Sequence, residues 1–195
     1  MNCPSALPVI ETARLRLRPF RAADATALQQ LASAREIADT TARIPHPYPD
    51  GAAAAWIATH AAAWTEQREL ALAITLRDAD TLIGSIGLLL EPAHEKAELG
   101  YWIGTPFWRR GFASEAATAL VNYAFGVLSL QRVQAHHFAR NPASGRVLLN
   151  AGLRREGVSP RAFKKNERFE DIVFYGALRR DWSGATRDAP PPAAT

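Results

Sequence analysis

Along this chain, apolar positions alternate with polar ones in some stretches and recur every three to four residues in others. Leu15 and Leu17 stand between Arg14, Arg16 and Arg18 in strict alternation, which predicts a half-buried strand closed by Pro19. Over 22–40, Ala25, Leu28, Leu31 and Ala32 fall at helical spacing and predict a helix. Pro45, Pro47 and Pro49 exclude regular structure from the segment 43–49. Asp50 is the expected N-cap of a second helix reaching Gln67, with Trp56, Ile57, His60 and Trp64 along the face that packs on a sheet. Strands are predicted over 70–77 and 81–90, joined by a turn at Asp78-Ala79-Asp80; Gly84 and Gly87 mark close backbone approach or a bulge. A turn over 91–95 leads into Leu99-Gly100-Tyr101-Trp102-Ile103, an apolar strand stopped by Gly104-Thr105-Pro106.

After Gly111 the period becomes helical again, with Ala117, Leu120, Val121 and Ala124 on one side. A strand over 132–139 follows, and strand–helix–strand connectivity favours a parallel pair. Asn141 opens another helix stopped at Gly152. The last strands, 153–158 and 169–178, flank a basic loop over 161–168; Arg168, Glu170 and Asp171 stand to reach a substrate mouth from there. The organisation expected is an N-terminal arm over 1–10, one domain over 11–178 and a disordered tail over 179–195.

Composition narrows the function classes. The 195 residues are 48% hydrophobic and 22% charged, as in globular domains. A net charge of +4 without a basic run interleaved with aromatics argues against nucleic acid as the primary ligand. Cys3 is the only cysteine and lies in a terminus expected to fray, so no disulfide framework is available and a reducing cytoplasm is the expected location. The N-terminus lacks the features of a signal peptide, and the most apolar window, 82–90, is far shorter than the ~20 residues a membrane helix needs. His136 and His137 have no cysteine or carboxylate at ligand spacing, so they are expected to be structural, with no metal.

Candidate chemistry centres on 98–115, ELGYWIGTPFWRRGFASE. Arg109, Arg110 and Gly111 precede a helix whose free N–H groups and dipole suit an anion. Neither G-x-x-x-x-G-K-[ST] nor G-x-G-x-x-G occurs, which removes the common nucleotide loops and leaves a phosphate site of another kind or a tight connection that binds nothing. Trp108-Arg109-Arg110-Gly111-Phe112-Ala113 followed by Ser114-Glu115-Ala116 resembles the acyl-CoA pyrophosphate loop of the GNAT N-acetyltransferase superfamily. Trp108, in place of the usual Gln or Arg, is similar to the RimJ/RimL-type branch, the ribosomal-protein alanine N-acetyltransferases. Glu11-Thr12-x-Arg14-Leu15-x-Leu17-Arg18, Ile44-Pro45-His46-Pro47-Tyr48 and Asn141-x-x-Ser144 with Gly152-Leu153-x-x-Glu156-Gly157 extend the resemblance over 11–178.

That resemblance implies an α+β fold: a mixed, mostly antiparallel central sheet with helices on both faces and a splayed parallel pair holding acyl-CoA. It implies acetyl-CoA as co-substrate, bound by Arg109, Arg110, Gly111, Phe112, Ala113 and Ser114 at the pyrophosphate, by the backbone near Trp102 and Ile103, and by Asn141 at the pantetheine amides. An amine attacks the thioester directly and needs a base. Glu98, on the strand face of Gly100 and Trp102, is the first candidate; His46 and a water chain remain open beside it. Ser144 stands where many family members use a tyrosine to serve the departing thiolate. His46 and Tyr48 belong to the loop the family places over the acceptor. The acceptor implied is a primary amine, first a ribosomal or other protein N-terminus, with a small amine or antibiotic as alternative. A non-catalytic acyl-CoA-binding domain is the rival from another class. No direct nucleic-acid or membrane partner is expected, and oligomeric state is not legible in the residues.

Overall fold

Residues 3–183 are described by a computed structural model. Short β1, Ile10–Glu11, pairs with β2, Leu15–Arg18, and the alternation of β2 buries Leu15 and Leu17 completely. The predicted helix over 22–40 divides into a 3-10 turn, α1 (Ala25–Ala32) and α2 (Arg35–Thr40). Ser33 donates its hydroxyl back to the Gln29 carbonyl at 2.7 Å and Ala34 is extended (φ −63°, ψ 129°), so the helix stops and restarts. The next helix, α3 (Ala52–Thr65), starts one residue later than expected. Its N-cap is Gly51 in the left-handed region, and Gln29 Oε1 on α1 accepts the Ala53 N–H at 3.3 Å, so no side-chain cap from Asp50 forms.

Strands β3 (Glu69–Leu76), β4 (Leu82–Glu91) and β5 (Lys96–Ile103) form an antiparallel meander. Both glycines of β4 sit at close approaches: a Cβ at Gly84 would stand 2.2 Å from the Trp102 carbonyl oxygen, and one at Gly87 2.5 Å from that of Leu70. Helix α4 (Phe112–Gly126) crosses to β6 (Arg132–Phe138), which lies parallel to β5 as strand–helix–strand connectivity requires. Helix α5 (Pro142–Asn150) precedes a long hairpin of β7 (Arg154–Lys165) and β8 (Arg168–Leu178). Most of the stretch expected as a basic loop over 161–168 is therefore strand. The turn at Asn166–Glu167, both at positive φ, is only two residues long, and Pro160 is accommodated where the register shifts between Ser159 and Phe163.

The eight strands run in the order β1-β2-β3-β4-β5-β6-β8-β7, antiparallel except for β5–β6. One face carries Leu72, Leu88, Leu99, Val133 and Tyr175 into the main core with α4 and α5; the other packs Ala73 and Trp102 against Leu28 of α1 and Ala53, Trp56 and Ile57 of α3. The sheet is thus covered on both sides, as α+β packing demands. Among the described residues no helix is long and apolar enough to cross a membrane. The described residues of the expected arm and tail, 3–10 and 179–183, pack on the domain. Trp64 Nε1 donates to the Pro4 carbonyl at 3.1 Å, and Cys3 and Leu7 pack on the core. Arg179–Asp181 forms a 3-10 turn, after which Trp182 rests against Phe125 (5.2 Å between centroids) and donates to Asn122 Oδ1 at 2.9 Å. The remainder of the expected tail, 184–195, lies outside the described residues.

Candidate active site

The parallel pair holds together for only three registered positions, Lys96↔Arg132, Ala97↔Val133 and Glu98↔Gln134. Beyond them β5 runs on to Ile103 and β6 to Phe138 without pairing, and a cavity of ≈ 730 Å³ reaches into the gap. The antiparallel register decides which backbone groups face that gap. Gly104 N–H donates to the Ile83 carbonyl at 2.8 Å, which makes Ile103↔Gly84 a wide pair and Trp102↔Ser85 a hydrogen-bonded one. Tyr101 and Ile103 therefore present their backbone to the gap, whereas Trp102 spends its own on β4. The backbone groups expected at Trp102 and Ile103 are thus those of Tyr101 and Ile103. The Ile103 carbonyl is already taken by the indole N–H of Trp108, which gives that unusual loop residue a role and leaves the Ile103 N–H facing the gap.

Alternation along β5 sends Glu98, Gly100 and Trp102 to the α1/α3 face. There Glu98 Oε1 meets His136 Nδ1 on β6 at 3.4 Å. The hydrogen bond from His136 holds the Glu98 carboxyl below its ordinary range against the opposing effect of burial, with smaller help from the charge of Arg43. Both histidines expected to be structural reach the cavity wall, but only His137 is buried: its Nδ1 lies 2.8 Å from the Phe138 carbonyl and its Nε2 3.4 Å from the Tyr175 hydroxyl. His136 lines the cavity with Glu98. Gly87 and Gly100, cross-strand partners, leave a floor without side chains beside them; a Cβ on Gly100 would meet nothing within 4 Å.

On the other face of β5, Tyr101 reaches α5. Its hydroxyl stands 2.8 Å from Ser144 Oγ and 3.0 Å from the Ser144 carbonyl, and both side chains line the cavity. Burial pushes the Tyr101 phenol above its ordinary range, so it is a neutral hydrogen-bonding group. Asn141 caps α5, its Oδ1 accepting the Ser144 N–H at 3.3 Å. Neither His136 nor Tyr101 was singled out by sequence, because each acquires its partner from an element far along the chain.

The loop at the mouth is built from left-handed residues: Arg109 at φ 60° and Gly111 at φ 78°, the latter the N-cap of α4. Such alternation turns successive N–H groups toward one point. Glu115 on the first turn of α4 accepts from the Thr12 hydroxyl (2.6 Å), the Arg14 N–H (2.9 Å) and Arg14 Nε (2.7 Å), while Arg14 also donates to the Arg110 carbonyl (3.0 Å). Burial raises the Glu115 carboxyl but these donors outweigh it, and the net shift is downward. Two motif pieces a hundred residues apart in sequence are thereby joined, and Arg14 and Arg110 both stack on the buried Phe112 ring at 4.7 and 4.9 Å. Ser114 Oγ accepts from Asn150 Nδ2 at 3.2 Å, and Ala113 is half-buried beside it.

Other expected residues fall elsewhere. Tyr48 lines the cavity, but His46 is exposed and outside its lining. Arg168, Glu170 and Asp171 do not line it either: Glu170 is buried against Arg140 Nε (2.9 Å) and Arg168 Nε (3.4 Å), and Asp171 accepts the Arg161 N–H (2.8 Å).

The model of the acetyltransferase (GNAT) domain matches residues 14–154. The chain is similar to the uncharacterized N-acetyltransferase YoaA of Bacillus subtilis (strain 168), 36% identical over 88% of this chain and 97% of the relative. It is also similar to the ribosomal-protein-serine acetyltransferase of Escherichia coli (strain K12), 30% identical over 57% of this chain and 63% of that one. Among solved structures, Mycobacterium smegmatis RimJ in complex with CoA-disulfide superposes with a TM-score of 0.83, at 20% identity, over 93% of this chain and 92% of the other, a likeness of fold. With a domain match across most of its length and a full-length relative of the same kind, this chain belongs to the GNAT family of N-acetyltransferases.

Proposed function

We propose that the protein moves an acetyl group from acetyl-CoA directly onto a primary amine, with the α-amine of a protein N-terminus first among acceptors. The observation that carries this is the parting of β5 from β6 just beyond Glu98, with the Glu98–His136 pair on one face of the opening and the Tyr101–Ser144 pair reached from the other. The opening fits a pantetheine arm in the terms of its own backbone: Tyr101 and Ile103 have groups aimed into it with no strand to bond. Asn141 holds its carboxamide at the same end through the α5 cap. The amides of Arg110 to Ser114, with the guanidiniums of Arg109 and Arg110, would hold the pyrophosphate. Acetyl-CoA supplies the activated acetyl group as a thioester.

The chain's residues do the rest. The acceptor amine reaches the site mostly as an ammonium and must lose a proton before its nitrogen bonds to the acetyl carbon and the C–S bond breaks. Glu98, ionised and acidic, is a weak base by itself, and it orients His136. With Nδ1–H turned to Glu98, the Nε2 lone pair is left for that proton, directly or through water. The Ile103 N–H faces the gap where the thioester oxygen gains charge. Ser144, held by Tyr101, hydrogen-bonds the departing sulfur, which leaves as thiol by taking the second proton that the nitrogen sheds on becoming an amide. The protein-acceptor reading is supported by the name of the E. coli relative, which acts on a ribosomal protein. Release of free thiol on mixing acetyl-CoA with a panel of peptides and small amines tests the proposal. Turnover with at least one amine is expected; acetyl-CoA binding with no turnover across the panel would make the chain a binding domain instead.

A further inference from the structure

The acceptor side of the cavity has walls of a definite chemistry. Tyr48 and Trp56, with Leu28 behind them, face it from the α1/α3 side; Phe138 and Phe163 face it from β6 and the β7–β8 hairpin; Leu89 forms the floor between Glu69 and Glu98. The aromatic walls are braced. Trp56 is held edge-on by His60 (4.3 Å) and Phe20 (5.3 Å), and Phe163 lies against Phe138 at 5.6 Å. His60 makes no hydrogen bond through either ring nitrogen, so its role is this packing. Side chains fixed in this way lose little freedom when a ligand packs on them.

Glu69, Glu98, His136 and Arg43 line the cavity. Burial raises the Glu69 carboxyl, and Arg43 acts on both carboxyls in the opposite direction. Arg43 thus offsets part of the carboxylate charge around the floor, and the space left beside Glu98 and His136 is bounded by rings. A pantetheine arm does not use these walls: its gap is lined by Leu99, Tyr101, His137 and Ser144, across the sheet from Trp56.

We infer that the acceptor carries a bulky apolar or aromatic group next to its amine, so that the site selects Phe- or Leu-type amines over Ala- or Ser-type ones. This deepens the acetyltransfer proposed above and rests on it. The aromatic group packs between Trp56 and Phe163 while its amine turns to His136. An acceptor with a small side chain leaves the walls unfilled and forfeits the burial of an apolar side chain.

Initial rates at saturating acetyl-CoA test this with tetrapeptides that differ only in the first residue (Ala, Ser, Leu, Phe) and with phenethylamine and ethylamine. The expected result is a kcat/KM at least about tenfold higher for Phe and Leu than for Ala and Ser. Turnover of the peptides alone marks a polypeptide acceptor, and of phenethylamine alone a small-molecule one; both carry the predicted group. Trp56→Ala and Phe163→Ala should each shrink the Phe-to-Ala ratio severalfold. Phe163 is a half-buried hairpin residue whose loss leaves the fold intact, as retained acetyl-CoA affinity would show. Preference for Ala or Ser, or a ratio unchanged in Phe163→Ala, overturns the inference while leaving acetyltransfer standing. Absence of acetyl-CoA binding by calorimetry would instead remove the acetyltransfer proposal itself.

Discussion

At Gly100 the backbone of β5 passes under the cavity with no side chain and no atom within 4 Å of where a Cβ would sit. A leucine there extends into the space assigned to the reacting groups without meeting a wall of the fold. Gly100→Leu is expected to keep its melting temperature within a few degrees of wild type, and to lower kcat/KM at least tenfold in a thiol-release assay. Equal activity would place the chemistry elsewhere. Glu98 and Ser144 were legible beforehand as residues of the cavity wall, because strand alternation and motif put them on β5 and at the start of α5. His136 and Tyr101 were not, because a histidine on a strand and a tyrosine in an apolar run look like core until the partner side chain is known. The register of β5 likewise exchanges Trp102 for Tyr101 beside the expected Ile103, a one-residue difference that decides which backbone groups face the gap.

At the scale of elements, the β7–β8 hairpin acts as a brace for the segment over the cavity. Lys165 is buried, and its ammonium donates to the carbonyls of Thr41, Ala42 and Ile44; burial pulls its pKa down. Arg140 reaches the Asp39 carbonyl from the same side. Thr41, Ala42 and Ile44 all line the cavity. Replacing Lys165 by Met keeps the bulk but leaves those carbonyls without their donor. The expected outcome is a severalfold rise in acceptor KM with acetyl-CoA affinity unchanged, since the loop before α4, to which we assign the pyrophosphate, is outside the cavity that this brace borders. An equal effect on both ligands would mean that the brace serves the whole fold. The second half of β7 was hidden in the sequence by its charge: mostly exposed on both faces, it shows no alternation, and its lysines and arginines read as a loop. The break between α1 and α2 was hidden for a similar reason, since the apolar spacing continues across Ser33 while the backbone does not.

Over the whole molecule, the sheet separates the face under α4 and α5, to which we assign the cofactor, from the face under α1 and α3, to which we assign the acceptor, and opens between them at β5 and β6. The succession of elements and the parallel crossover were readable because they depend on local period and connectivity; the depth and lining of the opening depend on residues from nine helices and strands and were not. The acceptor side also carries a measurable pH liability. His60 is buried without a hydrogen bond, and burial lowers its pKa from 6.5 to about 4. The unfolded chain takes up a proton there below about pH 6.5 that the folded chain refuses until about pH 4, so stability falls as pH drops through that window, by up to about 3 kcal/mol. Denaturant titrations at pH 7 and pH 4.5 should show a larger loss for wild type than for His60→Leu; parallel losses would show that His60 is protonated in the folded state.

The central claim, that the Glu98–His136 side of the parted strands performs acetyl transfer, is met most directly by one paired measurement on wild type and Glu98→Gln. Calorimetry gives acetyl-CoA affinity and thiol release gives turnover on the best acceptor of the panel. The account predicts affinities within about threefold of each other and a turnover lower by roughly a hundredfold or more in Glu98→Gln. Equal turnover in the two proteins would contradict it.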